Sequence, residues 1–206
     1  MRLLFIRHGQ TDWNKERKVQ GLADIPLNEY GIYLAEKTAE GLKDEHIDIC
    51  FTSPLVRARK TAKVVLRGRD IPIIDEDAIK EISFGEYEGV CIKGKLKGDA
   101  IKFNKFFTDT GAYIPAEGGE SIEHLMKRTG AYLEKLYENE EYKDKTVLIS
   151  THGAALKAMM NNIKGIKETK DFWNGGVSKN CAVAEVQVEN KVPKIIYENK
   201  IFYEEL

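Results

Sequence analysis

Cysteine is scarce in this chain of 206 residues, and its three copies, Cys50, Cys91 and Cys181, lie far apart with no CxxC pair among them. That excludes a disulfide framework and points to a reducing compartment, the cytoplasm. Long hydrophobic runs are missing as well. No uninterrupted apolar stretch exceeds four residues, so no segment reads as a membrane-spanning helix. The N-terminal residues lack the apolar stretch of a signal peptide and run straight into a strand pattern. Net charge is nearly absent, with 32 Lys and Arg against 33 Asp and Glu. Overall electrostatics thus gives no ground for a nucleic-acid or membrane partner. There is no GxSxG elbow, no HExxH and no Cys/His cluster at zinc spacing. A near P-loop at residues 89–96 fails because Leu96 stands where a Ser or Thr would bind Mg²⁺. What is there, 42% hydrophobic and 32% charged residues, is the composition of a globular protein with a full core. Its function must be read from local sites.

Short apolar runs alternate with helical periods. Leu3–Ile6, Ile47–Phe51, Ile71–Ile74 and Thr146–Ser150 read as buried strands. Helices are expected from Asn28 to about Lys43, from Ser53-Pro54 to about Leu66, from Ser121 to about Tyr137, and after Gly153. In the second of these, Ser53 suits the N-cap and Pro54 the first helical position. The C-terminal part reads as a hairpin, Cys181–Val188 and Lys194–Glu198, turning near Glu189-Asn190. The pattern predicts a three-layer α/β/α sandwich, mostly parallel with an antiparallel edge. Residues 1–206 are expected to form a single domain, with residues 83–120 inserted as a small lobe over the site.

Two strand ends match: Arg7-His8-Gly9 closes the first, and Thr151-His152-Gly153 the fourth. Ligands of open α/β sheets bind beyond the carboxyl ends of the strands, so the two histidines are expected to converge there. The glycines are expected to let backbone N–H groups approach a ligand. Arg57 falls in the first turn of a helix, beside orphan N–H groups, a combination suited to an anion. Glu81, Glu86 and Glu88 follow a strand exit where a general acid is wanted, and spacing alone does not choose among them.

Five blocks now stand in order: residues 7–14 (RHGQTDWN), 52–62 (TSPLVRARKTA), 81–89, 118–121 (GGES) and 150–153 (STHG). Together they resemble the histidine phosphatase superfamily, the phosphoglycerate-mutase-like group, from residue 3 to about 157. The resemblance implies a metal-independent phosphatase with no cofactor, acting on a small phosphorylated metabolite through a phosphohistidine. By this resemblance His8 is the nucleophile, Arg7 and Arg57 clamp phosphate, His152 is the second histidine on the phosphoryl group, and Glu81 is the proton donor. Asn14, Gln20 and Gly21 match the phosphate-contacting loop, and Gly153 completes the fourth strand's block. Nearby cations are expected to lower the pKa of His8 and keep it nucleophilic.

Within the resembled group, mutases are usually longer and carry an adjacent arginine pair. Neither feature is found here, which favours hydrolysis over a cofactor-dependent phosphoglycerate mutase. A non-catalytic phospho-ligand-binding domain would be expected to have lost one of these groups, and all are present. Phe103, Phe106, Phe107, Tyr87 and Tyr113 suit either a small core in the lobe or stacking on a leaving group. Lys93, Lys95 and Lys97 read as a solvated face before a second anion site. The exposed edge strand of the hairpin makes a homodimer conceivable.

Overall fold

The computed structural model describes residues 1–204. Within them, strands β1 (Arg2–Arg7), β2 (Ile49–Thr52), β3 (Ile73–Asp75), β4 (Thr146–Thr151), β5 (Val183–Glu189) and β6 (Val192–Lys200) form one sheet. Their order is β3-β2-β4-β1-β5-β6. The first four run parallel, while β5 is antiparallel to β1 and β6 to β5. The helices are α1 (Asp12–Glu16), α2 (Glu29–Gly41), α3 (Val56–Val65), α4 (Asp99–Thr108), α5 (Ile122–Glu138) and α6 (Gly153–Lys164).

The apolar runs of the central strands are continuous because both faces of the sheet are covered. Leu3, Phe5, Val147 and Ile149 pack with Leu133, Leu136, Leu156 and Met159 of α5 and α6. Leu4, Ile6, Cys50 and Leu148 point the other way, onto Leu34 and Ala35 of α2 and Ala62 and Val65 of α3. Period-two alternation along β1 thus feeds two separate cores, and the result is the expected α/β/α sandwich. A third cluster lies beneath residues 83–120, where Phe84, Phe103 and Phe106 meet Ile122, Leu125, Ala155 and Phe172.

Local chemistry sets most boundaries. Asn28 caps α2 by accepting from the Gly31 N–H at 2.8 Å, and Ser121 caps α5 through the His124 N–H at 3.1 Å. Gly165, with φ 71°, ends α6. The hairpin turns on Asn190 and Lys191, both with positive φ, as a two-residue loop matched to strand twist requires.

The structure departs from the sequence pattern at three places. Helix α3 begins at Val56, and Ser53 and Pro54 precede it in an extended turn instead of forming its cap and first residue. Helix α1 is too short to show a period, and only its capping box, Thr11 with Asn14, marks it. Helix α4 lies in the stretch expected to be a small lobe, where the sequence pattern named no helix. The Ala100-Phe103-Phe106 spacing that buries one face of α4 was present in the sequence but overshadowed by the surrounding glycines and lysines.

Candidate active site

Strands β1 and β4 are parallel neighbours with Arg7 opposite Thr151, so the residues that follow them leave the same edge side by side. The rings of His8 and His152 accordingly lie 5.1 Å apart between centroids. The backbone of His8 is fixed on both sides: its N–H donates to the Thr151 carbonyl, and its carbonyl accepts from Asn180 Nδ2, each at 2.9 Å. The next N–H, of Gly9, donates to Thr61 Oγ1 at 3.0 Å. This corrects the expected role of Gly9. A Cβ there would come 2.4 Å from the Gly31 carbonyl oxygen, so close packing against α2 demands this glycine, and its N–H is already used.

The imidazole of His8 has a defined polarity. Its Nδ1 lies 2.7 Å from the Gly9 carbonyl oxygen, which can only accept, so Nδ1 carries the proton and Nε2 carries the lone pair. Burial, then the charges of Arg57 and Arg7, hold the ring's pKa well below the usual 6.5, against a smaller opposing effect of the Gly9 carbonyl. His152 is also held well below 6.5, first by burial and then by Arg57, His8 and Arg7. Both rings are therefore neutral at pH 7. His152 Nε2 lies 2.7 Å from the Ser53 hydroxyl, which also accepts from the Leu55 N–H at 3.3 Å. Ser53, read from sequence as a helix cap, thus orients the second histidine instead.

Arg57 is fully buried on the first turn of α3. Its guanidinium donates to the carbonyls of Gly21 and Ala23, at 2.7 and 2.8 Å, and burial pulls its pKa down to about 10. The N-terminus of α3 is not a vacant anion site, because the Asp24 carboxylate accepts from the Val56 N–H at 2.7 Å. Glu88 holds the same loop from the other side. Its carboxylate accepts from the N–H groups of Leu22 and Ala23, each at 2.8 Å, and of Phe84 at 3.1 Å. Gly21 sits at φ +55°, where a Cβ would lie 2.1 Å from Glu88 Oε1. Glycine is required there by both conformation and contact.

Of the three candidate glutamates, Glu86 is exposed, Glu88 is spent on this loop, and Glu81 lines the same cavity as His8, Arg7 and Arg57. The Glu81 carboxyl accepts from the N–H groups of Ile82, Ala154 and Ala155 at 3.0–3.1 Å, which seats it on the first turn of α6. Arg128 anchors its backbone, donating to the carbonyls of Ala78 and Glu81 at 2.8 and 3.1 Å while gripping Glu120 through two nitrogens.

A cavity of about 670 Å³ collects Arg7, His8, Asn14, Gln20, Gly21, Arg57, Glu81 and Gly153 in its wall, with His152 packed on His8. Within this group Asn14 Oδ1 accepts from the Thr11 N–H at 3.1 Å, and Gln20 Nε2 donates to Thr11 Oγ1. Both therefore also fold the loop they line. A Cβ on Gly153 would reach only ordinary contact with Arg7, so space alone does not require that glycine. Lys93, Lys95 and Lys97 are exposed and lie outside the cavity wall.

Three buried nitrogens around His8 have no hydrogen-bond partner among the described residues: Arg7 Nε, Arg57 Nε and His152 Nδ1. Leaving a donor unpaired in the interior costs about 1–3 kcal/mol. Several gathered about one neutral imidazole are what an absent anion would satisfy. Sequence reading missed the residues that hold this arrangement. Ser53 and Glu88 lay inside recognised blocks but were assigned otherwise or left open. Thr61, Asp24 and Arg128 carried no separate signal, and Asn180 is 172 residues from the carbonyl it holds.

A family model, the histidine phosphatase superfamily (branch 1), matches residues 3–200. The chain is 38% identical to the uncharacterized phosphatase PhoE of Bacillus subtilis over 162 residues, 78% of this chain and 76% of that one. It is 34% identical to a 2,3-bisphosphoglycerate-dependent phosphoglycerate mutase of Cytophaga hutchinsonii over 170 residues, covering 80% and 78% of the two chains. Among solved structures, Bacillus stearothermophilus YhfR superposes with a TM-score of 0.89 at 30% identity, over 97% of each chain.

Proposed function

Because this chain belongs to the histidine phosphatase superfamily, we propose that it is a phosphatase that hydrolyses small phosphomonoesters without a metal, through a phosphohistidine on His8. The observation that carries this reading is the ring of unpaired buried donors about a neutral imidazole whose Nε2 lone pair is free.

In the first step Nε2 attacks phosphorus in line with the ester oxygen, forming the N–P bond as the P–O bond breaks. Negative charge on the non-bridging oxygens is met by the guanidinium N–H groups of Arg7 and Arg57. With Ser53 donating to Nε2 of His152, the Nδ1–H of that ring is left to join them. The Nδ1–H of His8 stays on the Gly9 carbonyl, which disperses the positive charge the ring acquires. Glu81 gives its proton to the departing alkoxide, then takes one from the water that attacks the phosphohistidine. Asn14, Gln20, Gly21 and Gly153 complete the phosphate pocket in this reading. Residues 83–120, as a lobe of the single domain, cover the leaving-group side.

No helix among the described residues is long and apolar enough to cross a membrane. All three cysteines are free, which supports a reducing, cytoplasmic setting.

The mutase among the relatives favours a second reading, in which the phosphoryl group returns to a rebinding intermediate. Phosphate release from a panel of phosphomonoesters in EDTA, with 3-phosphoglycerate and 2,3-bisphosphoglycerate followed for interconversion, separates the two. The proposal expects net phosphate release that EDTA does not abolish. Interconversion without release would replace it with the mutase.

A further inference from the structure

The cavity's phosphate end is polar, but six aromatic side chains also line its wall. The chain has two tryptophans, Trp13 and Trp173, from distant parts of the sequence, and both line this cavity. Phe84, Phe103, Phe106 and Phe107 join them. Two of these, Phe103 and Phe106, are almost wholly buried in the third core cluster. Phe107 is not: it is 40% exposed, with its ring 5.4 Å from that of Trp173 and tilted by only 33°. Trp173 is itself fixed by donating Nε1–H to the Phe106 carbonyl at 2.6 Å. A rigid pair of rings left wet beside a reactive histidine gains from any flat apolar group that covers it.

The polar side chains along the same wall are partly engaged, and the buried Gln20 Oε1 has no hydrogen-bond partner among the described residues. Asn14 and Gln20 bond Thr11, Arg57 bonds two carbonyls, and Lys18 pairs with Glu16 at 2.7 Å. Beyond the phosphate clamp, the cations on this wall are Arg17, which is exposed, and Lys18, which is paired with Glu16. A small polar leaving group would leave these rings wet. Resting on the phosphatase reading, we propose that the leaving group this site selects carries a flat aromatic ring, seated on Phe107 and Trp173.

Aryl esters are intrinsically easier to cleave, so the test holds the leaving alcohol constant. Values of kcat/KM are compared for 3-phenylpropyl phosphate against propyl phosphate, and for a nucleoside 5′-monophosphate against ribose 5-phosphate, with phosphoserine alongside. The ring-bearing partner is expected to be preferred by about tenfold or more, chiefly through KM. Phe107→Ala should shrink that ratio toward one, and Phe107→Leu, which keeps apolar volume, provides the same readout should the alanine variant not fold. Independently, 3-phenylpropyl phosphate titrated into His8→Ala protein should change the tryptophan emission at concentrations where propyl phosphate does not. Equal efficiencies within each pair would overturn the inference while leaving the phosphatase reading intact, as would phosphoserine outranking every ring-bearing ester. No phosphate release from any ester would instead remove the phosphatase reading. The fluorescence titration then decides the ring site alone, a ring-dependent change supporting it and none overturning it.

Discussion

Proton positions on His8 and Glu81 decide what this site can do. His8 is poised because one nitrogen is tied to a carbonyl and burial, with two arginines, keeps the ring neutral. The native ring therefore refuses a proton that the unfolded chain accepts near pH 6.5. The unfolded state binds more protons below that value, so stability contributed at pH 7 is lost as pH falls through and below about 6.5. ¹⁵N NMR of the imidazoles at pH 5.5 should show His8 neutral and protonated on Nδ1, and a doubly protonated ring at that pH would contradict the assignment. Glu81 makes a different demand. Glu81→Gln should lower kcat on alkyl phosphates by about 10²–10⁴-fold, the usual size of general-acid effects, and much less on p-nitrophenyl phosphate. Equal losses on both would remove Glu81 from proton transfer.

Elements position these residues through loops more than through helices. Glu88 grips the backbone of residues 22–23, the carbonyls of Gly21 and Ala23 grip Arg57, and Asp24 caps the helix that carries Arg57. Replacing Glu88 by Ala leaves three N–H groups without their acceptor. A loss of about 2 kcal/mol follows, or roughly 4–8 °C in Tm for a chain of this length. A several-fold rise in KM should accompany it as Arg57 loosens. An unchanged KM with a lowered Tm would mean that Arg57 does not depend on this loop. The sequence was legible wherever periodicity or capping chemistry spoke, as in β1, β4, α2, α5 and the ends bearing His8 and His152. It misled at Ser53-Pro54, because a good cap composition was claimed by a tertiary partner, His152. It was silent on contacts such as Asn180 to His8, which no local pattern encodes. The aromatic stretch at 103–107 was legible only as a choice between core and surface. The structure divides it, burying Phe103 and Phe106 and leaving Phe107 facing the cavity.

For the whole molecule, the sheet order is what makes a site from distant segments. The β1–β4 pairing brings the two histidines together, and β2 beside β4 delivers Ser53 and Arg57 to the same edge. Three unpaired buried donors there are a standing cost that an anion relieves. Vanadate, which can take up the five-coordinate geometry of in-line transfer, should therefore inhibit and raise Tm. At a hundred times its Kd the gain is about 2.7 kcal/mol. Insensitivity in both readouts would argue that the donors do not form an oxyanion site.

In the proposed mechanism the phosphoryl group passes through His8. Rapid acid-free quenching of the enzyme with a ³²P-labelled ester, followed by peptide mapping, tests it most directly. An acid-labile, base-stable label is expected on the peptide bearing His8, absent from a folded His8→Ala variant that also releases no phosphate. Undiminished turnover by that variant, or label on another residue, would contradict it.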